Sequence, residues 1–98
     1  MVYTSQEFAN YFSKTHELNV SHFVLGIRTR DIHHNSDGSA VVIPYVIIIS
    51  KEDEWVDYYR RKWEEEDKKW EILLNSDEVE KLSYETSPDV AFYTLLIL

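Results

Sequence analysis

The sequence predicts a small α+β domain: a three-stranded, mostly antiparallel sheet with one short N-terminal helix and one long central helix, in the order α-β-β-α-(α)-β. Three observations lead there. Residues 4–7 carry a helix-start signature; Asp37-Gly38 separates two long apolar runs; and residues 51–74 hold no Gly or Pro while apolar residues recur near a helical period. The 98 residues fit a single domain, 1–98.

The first helix is expected from Thr4-Ser5-Gln6-Glu7, where the Thr4 hydroxyl and the Glu7 carboxylate satisfy each other's backbone donors. Tyr3 and Phe8 stand at the staple positions. Phe8, Tyr11, Phe12 and Thr15 follow on one face, and the helix should end near His16.

Two strands come next. Over 20–32, Phe23, Leu25 and Ile27 share one side, and Val24 shares the other with His22, Gly26, Arg28 and Arg30. The polar turn at 33–38 ends in Asp-Gly, a hairpin signal. The return strand, 39–49, alternates Val41, Ile43, Tyr45, Ile47 and Ile49 against Ala40, Val42, Val46 and Ile48. Apolarity on both sides implies that both sheet faces are covered. Pro44 has no N–H for a ladder and implies a bulge or an edge.

The central helix is expected to start at Ser50 as N-cap, with Glu52 and Asp53 in its first turn. Val56, Tyr59, Trp63, Trp70 and Leu73 form its stripe, and Asp57–Arg61, Glu64–Lys68 and Glu65–Lys69 are acid-before-base pairs at i, i+4. Glu66 interrupts the apolar arc. If the helix stops near Lys68, residues 70–74 read instead as a short strand. Asn75-Ser76-Asp77-Glu78 looks like a further helix start with Val79 and Leu82 as its apolar face, and 90–98 is the last strand.

Composition narrows function mainly by exclusion. There is no cysteine, so there is no disulfide, thiolate metal site or cysteine nucleophile. No leader and no stretch of roughly 20 apolar residues is visible, which points to the cytoplasm, or the host cytoplasm for a virus-encoded chain. The net charge of −8 argues against direct nucleic-acid binding and favours a basic protein partner. With two glycines there is no phosphate loop, and no nucleophile elbow is present. Asp31, His33, His34 and Asp37 cluster at the turn, but polar residues in a tight turn are ordinary and no third ligand is evident. No metal, cofactor or catalytic residue is therefore assigned.

Charge is unevenly spread. The acids of 51–74 have bases at helical spacing. Residues 75–98 carry five acids against the single base Lys81. A partner-binding surface is accordingly expected at Asp77, Glu78, Glu80, Glu85 and Asp89, with Glu52, Asp53 and Glu54 at the helix start. Small size, acidity and the lack of a motif suit an inhibitor or immunity protein. Phage and plasmid anti-defence proteins of the anti-CRISPR kind, which block a basic nucleic-acid-handling target, have this profile. Two other readings are a structural or assembly subunit working through a permanent interface, and an enzyme with an unrecognised carboxylate/His site. Two-sided strands with few helices to cover them also predict a homodimer.

Overall fold

The computed structural model describes residues 1–51, 54–58, 70–84 and 88–97. The elements are β1 (Val2–Thr4), α1 (Ser5–Thr15), β2 (His22–His34), β3 (Ala40–Lys51), β4 (Glu54–Tyr58), β5 (Glu71–Leu74), α2 (Ser76–Glu80) and β6 (Val90–Leu96). Among the described residues the strands form one mixed sheet of six, five of them in the order β1-β5-β3-β2-β6 and the sixth, β4, paired with β3 off that path. This overturns the expected three-stranded sheet with a long central helix. Glu54–Tyr58 and Glu71–Leu74 are strands, and Ser50 lies inside β3 rather than capping a helix. The strand reading of 70–74 is the one that holds from Glu71 onward. Tyr59 and Trp63, with the Glu64–Lys68 and Glu65–Lys69 pairs, lie outside the described residues.

The reason is backbone satisfaction along β3. Its inner edge is taken by β2 from Ala40 to Ile49. On the other edge β5 reaches only Ala40, Val41 and Val42, in antiparallel register with Leu74, Leu73 and Ile72. Residues 47–51 need partners for their remaining N–H and C=O groups, and β4 supplies them from Tyr58 back to Glu54. Its Trp-Val-Asp-Tyr stretch has three good strand formers, so local preference agrees with the pairing. β1 is too short for any periodicity to reveal. It runs parallel to β5, with Tyr3 opposite Ile72.

The hairpin between β2 and β3 forms as expected. Gly38 takes a left-handed φ of +91°, and Asn35 donates its N–H to the Ser39 carbonyl at 2.8 Å. The strands begin and end slightly later than the sequence pattern suggests, at His22–His34 and Ala40–Lys51.

Pro44 does mark a bulge, and the bulge decides which side chains reach the core. Gly26 pairs with Val46 but Ile27 pairs with Pro44, so Tyr45 is the extra residue on β3. Tyr45 and Val46 then lie on the same side of the sheet. Before the bulge, Ala40 and Val42 face the core; after it, Ile47 and Ile49 do. Simple alternation groups Ile43 with Ile47 and Ile49, and the structure separates them. Ile43 is only partly buried, whereas Ile47 is fully buried. Gly26 makes the arrangement possible, because a Cβ on it would sit 2.3 Å from Val46 Cγ1 and 3.5 Å from a Tyr45 ring carbon. The Arg28 guanidinium lies 4.6 Å from the Tyr45 ring centre on that same side.

Among the described residues, α1 covers the other side. The α1 capping box between Thr4 and Glu7 is present, and the helix ends at a His16 C-cap. Its buried face is Phe8, Ala9 and Phe12; Tyr11 is half exposed rather than core. Phe8 and Phe12 meet Phe23 at 6.1 and 5.3 Å between ring centres, over a floor of Leu25, Ile27, Ile47, Ile72, Leu74, Ala91 and Tyr93. Trp70 closes one end against Phe8, Tyr3 and Tyr11, each within 5.4 Å. Among the described residues, no helix is long and apolar enough to cross a membrane.

The close approach at Gly26 has a measurable consequence. Val46 is β-branched and buried, so it has no easy way to yield. Gly26→Ala should lower the unfolding free energy by about 1–3 kcal/mol in a denaturant titration. A variant as stable as the parent would show that β3 does not press on Gly26.

Candidate functional site

The acids expected to bind a partner lie on different elements and differ in exposure. Asp77 and Glu80 are exposed on α2, three residues apart and so on neighbouring positions of one helical face. Glu78, between them, points inward. Asp89 is exposed just before β6, and its backbone carbonyl accepts the Thr29 N–H at 2.9 Å. Glu54 opens β4, while Glu52, Asp53 and Glu85 lie outside the described residues.

α2 is a single short turn of helix set by its own capping box. Asn75 Oδ1 accepts the Glu78 N–H at 2.9 Å, and Glu78 Oε1 accepts the Asn75 N–H at 3.0 Å. Val79 and Leu82 rest partly buried against the core. The other Glu78 oxygen, Oε2, accepts hydrogen bonds from the Ser5 hydroxyl and, at 2.9 Å, from the Tyr93 phenol. One carboxylate thus ties α2 to the first turn of α1 and to β6. No sequence pattern links Ser5, Glu78 and Tyr93, which are distant in the chain, so the sequence cannot show that Glu78 differs from its neighbours. Its capping role was readable from Asn75 three residues earlier.

The chemistry of this trio is that of a structural tie. Glu78 accepts three donors with both oxygens engaged, which leaves little capacity to take a proton from a substrate. Burial, reinforced by the neighbouring Glu78 carboxylate, raises the Tyr93 phenol well above its ordinary pKa of 10.0. The phenol therefore stays protonated and donates.

The structure adds one carboxylate that the sequence left with the turn. An added Cβ on Gly38 would lie 3.3 Å from Ser76 Cβ, so the β2–β3 turn abuts the start of α2. Asp37, exposed and next to Gly38, thereby joins Asp77 at the same end of the sheet. Asp37 Oδ1 accepts both the hydroxyl and the N–H of Ser39, at 2.5 and 3.0 Å. These bonds, the hydroxyl's first, hold the Asp37 pKa below its usual value, so it remains ionised. His33 and His34 are exposed nearby on β2, and Asp31 is partly buried. Among the described residues, no group of three or more His, Asp or Glu side chains is placed to hold a metal ion.

No protein-family model, curated protein or solved structure matches the chain.

Removing the tie should be felt in stability and in its pH dependence. Glu78→Ala should cost roughly 1.5–3 kcal/mol, because hydrogen bonds to a charged group are lost. Asp77→Asn or Glu80→Gln should each cost less than about 1 kcal/mol. The Tyr93 phenol has a raised pKa in the folded state. Its contribution is complete below the unfolded value near pH 10 and is lost as the pH climbs above it. Tyr93→Phe should therefore flatten the alkaline fall in stability above about pH 10 relative to the parent. Matching alkaline profiles for the two proteins would show that the phenol is not held this way.

Proposed function

We propose that the chain is a small acidic protein-binding module of the inhibitor or immunity type, blocking a basic, nucleic-acid-handling protein in the manner of phage or plasmid anti-defence proteins. The observation that carries the reading is the exposed pair Asp77 and Glu80 beside the turn that bears Asp37. α2 has no basic residue in its last turn, and Lys81 just beyond it is the one base of that segment. Asp89, Glu85 and Glu52–Glu54 extend the acidity of the chain. Glu78 contributes by holding α2 in place, with its carboxylate turned to Ser5 and Tyr93.

The physics favours a fast, salt-sensitive encounter. Exposed carboxylates of one sign steer a cationic surface and raise the association rate, and added salt screens that effect. Each rim contact alone is worth little, so single substitutions are a weak probe.

The test is a double charge reversal, Asp77→Lys with Glu80→Lys, leaving Glu78 intact. The parent chain, immobilised in native lysate, identifies a basic partner. The double variant should bind that partner with an association rate about tenfold lower at low salt and a flatter salt dependence, while its unfolding transition stays close to the parent's. Unchanged rate and salt dependence would leave the acids with solubility as their only role.

A further inference from the structure

We infer that the outer edge of β6 is a self-pairing surface, joining two copies of this chain through an antiparallel β6–β6 contact centred on Leu95. The strand lies at one end of the sheet order. Its inner edge pairs with β2 over seven residues, from His22 opposite Leu96 to Arg28 opposite Val90. Backbone groups of successive residues point to opposite edges of a strand. Phe92 exchanges both of its bonds with Ser83 on the outer side, at 2.8 and 2.9 Å, and Ile97 donates to the Ser21 carbonyl on the inner side. The N–H and C=O groups of Thr94 and Leu96 therefore face outward, in step with Phe92. Among the described residues, Ser83 is the only outer partner of β6. Thr94 is exposed, and Leu96 is 60% exposed.

Sheet edges are usually guarded by charge, proline or a covering segment. From Val90 to Ile97 there is neither a charged residue nor a proline. In a chain of net charge −8 this matters for the choice of occupant. Two acidic copies repel over most of their surfaces, and an uncharged edge is where they approach at least cost.

The register also selects a second copy. A twofold axis at Leu95 sets Thr94 opposite Leu96 of the other copy, and Leu96 opposite its Thr94. Thr94 and Leu96 of each strand are then joined by four N–H to carbonyl bonds, none of which uses the Phe92 groups that Ser83 holds. Centring the pair on Thr94 would instead drive Leu96 onto Phe92, whose outer groups Ser83 already occupies. The contact is isologous, as a closed dimer requires. Thr94 and Leu96 project on the side of the sheet away from Tyr93 and Leu95, which belong to the core. Pairing therefore places the two Leu96 side chains diagonally across the new ladder, each diagonal also to a Phe92 ring.

Sedimentation equilibrium of the intact chain from about 10 µM to about 1 mM tests this, since a weak dimer is revealed by its concentration dependence. The apparent mass should rise from 11.7 kDa towards twice that value. Leu96→Pro removes the outward N–H without touching the β2 ladder, and Thr94→Lys puts a charge on the edge. Each should weaken dimerisation at least tenfold with the unfolding transition preserved. Amide exchange should slow at Thr94 and Leu96 as the concentration rises, with Phe92 unchanged. A parent that stays monomeric across the range, or two folded variants that dimerise as the parent does, would overturn the inference. If Leu96→Pro fails to fold, Thr94→Lys and the exchange of the parent decide the matter.

Discussion

The bulge opposite Gly26 is the constraint on which the rest of the fold depends. β3 is the central strand, flanked by β2 on one edge and by β5 and β4 in turn on the other. Strand periodicity is two, so one extra residue exchanges the faces of everything beyond it. Tyr45 is that residue, and it allows Ala40 and Val42 to join Ile47 and Ile49 in the core under α1. A regular β3 would turn half of its buried side chains away from Phe8 and Phe12. Gly26 is the partner that permits it, because the Val46 side chain takes the space of its absent Cβ.

With the core face set, the periphery is held by hydrogen bonds more than by volume. α1 spans eleven residues and α2 only five, and α2 has no fully buried side chain. A helix that short has little intrinsic stability, and nucleation alone disfavours it. Its capping box and the Glu78 tie to Ser5 and Tyr93 supply the fixed position. The same arrangement sorts the acids of the segment. Glu78 is consumed by structure, while Asp77 and Glu80 are presented outward. Asp37 arrives beside them because the hairpin turn and α2 touch at Gly38 and Ser76.

What could be read from sequence follows the range of the interactions involved. The Thr4–Glu7 box, the Asp37-Gly38 turn and the start of a helix at Asn75 are local, and each is written within a few residues. Pro44 announced the bulge for the same reason. The long central helix failed because β4 and β5 answer to β3, not to their own neighbours. Acid-before-base spacing around Asp57 and an apolar stripe through Val56 and Leu73 match a helix locally, and the unpaired edge of β3 outweighs them. β1 and the Ser5–Glu78–Tyr93 tie were invisible, since both join segments far apart in the chain. Helical spacing groups Tyr11 with Phe8 and Phe12 on one face, and Tyr11 sits at the rim of that face beside Trp70.

Because the chain contains no cysteine, a single introduced thiol can report on one position of β3 at a time. Native-state thiol labelling of Ile43→Cys and Ile47→Cys measures the face exchange directly. With the bulge in place, position 43 should react much faster than position 47, whose labelling should wait for global unfolding. Equal protection at both positions, or faster labelling at 47, would mean that β3 runs without the bulge and that the core is assembled in another way.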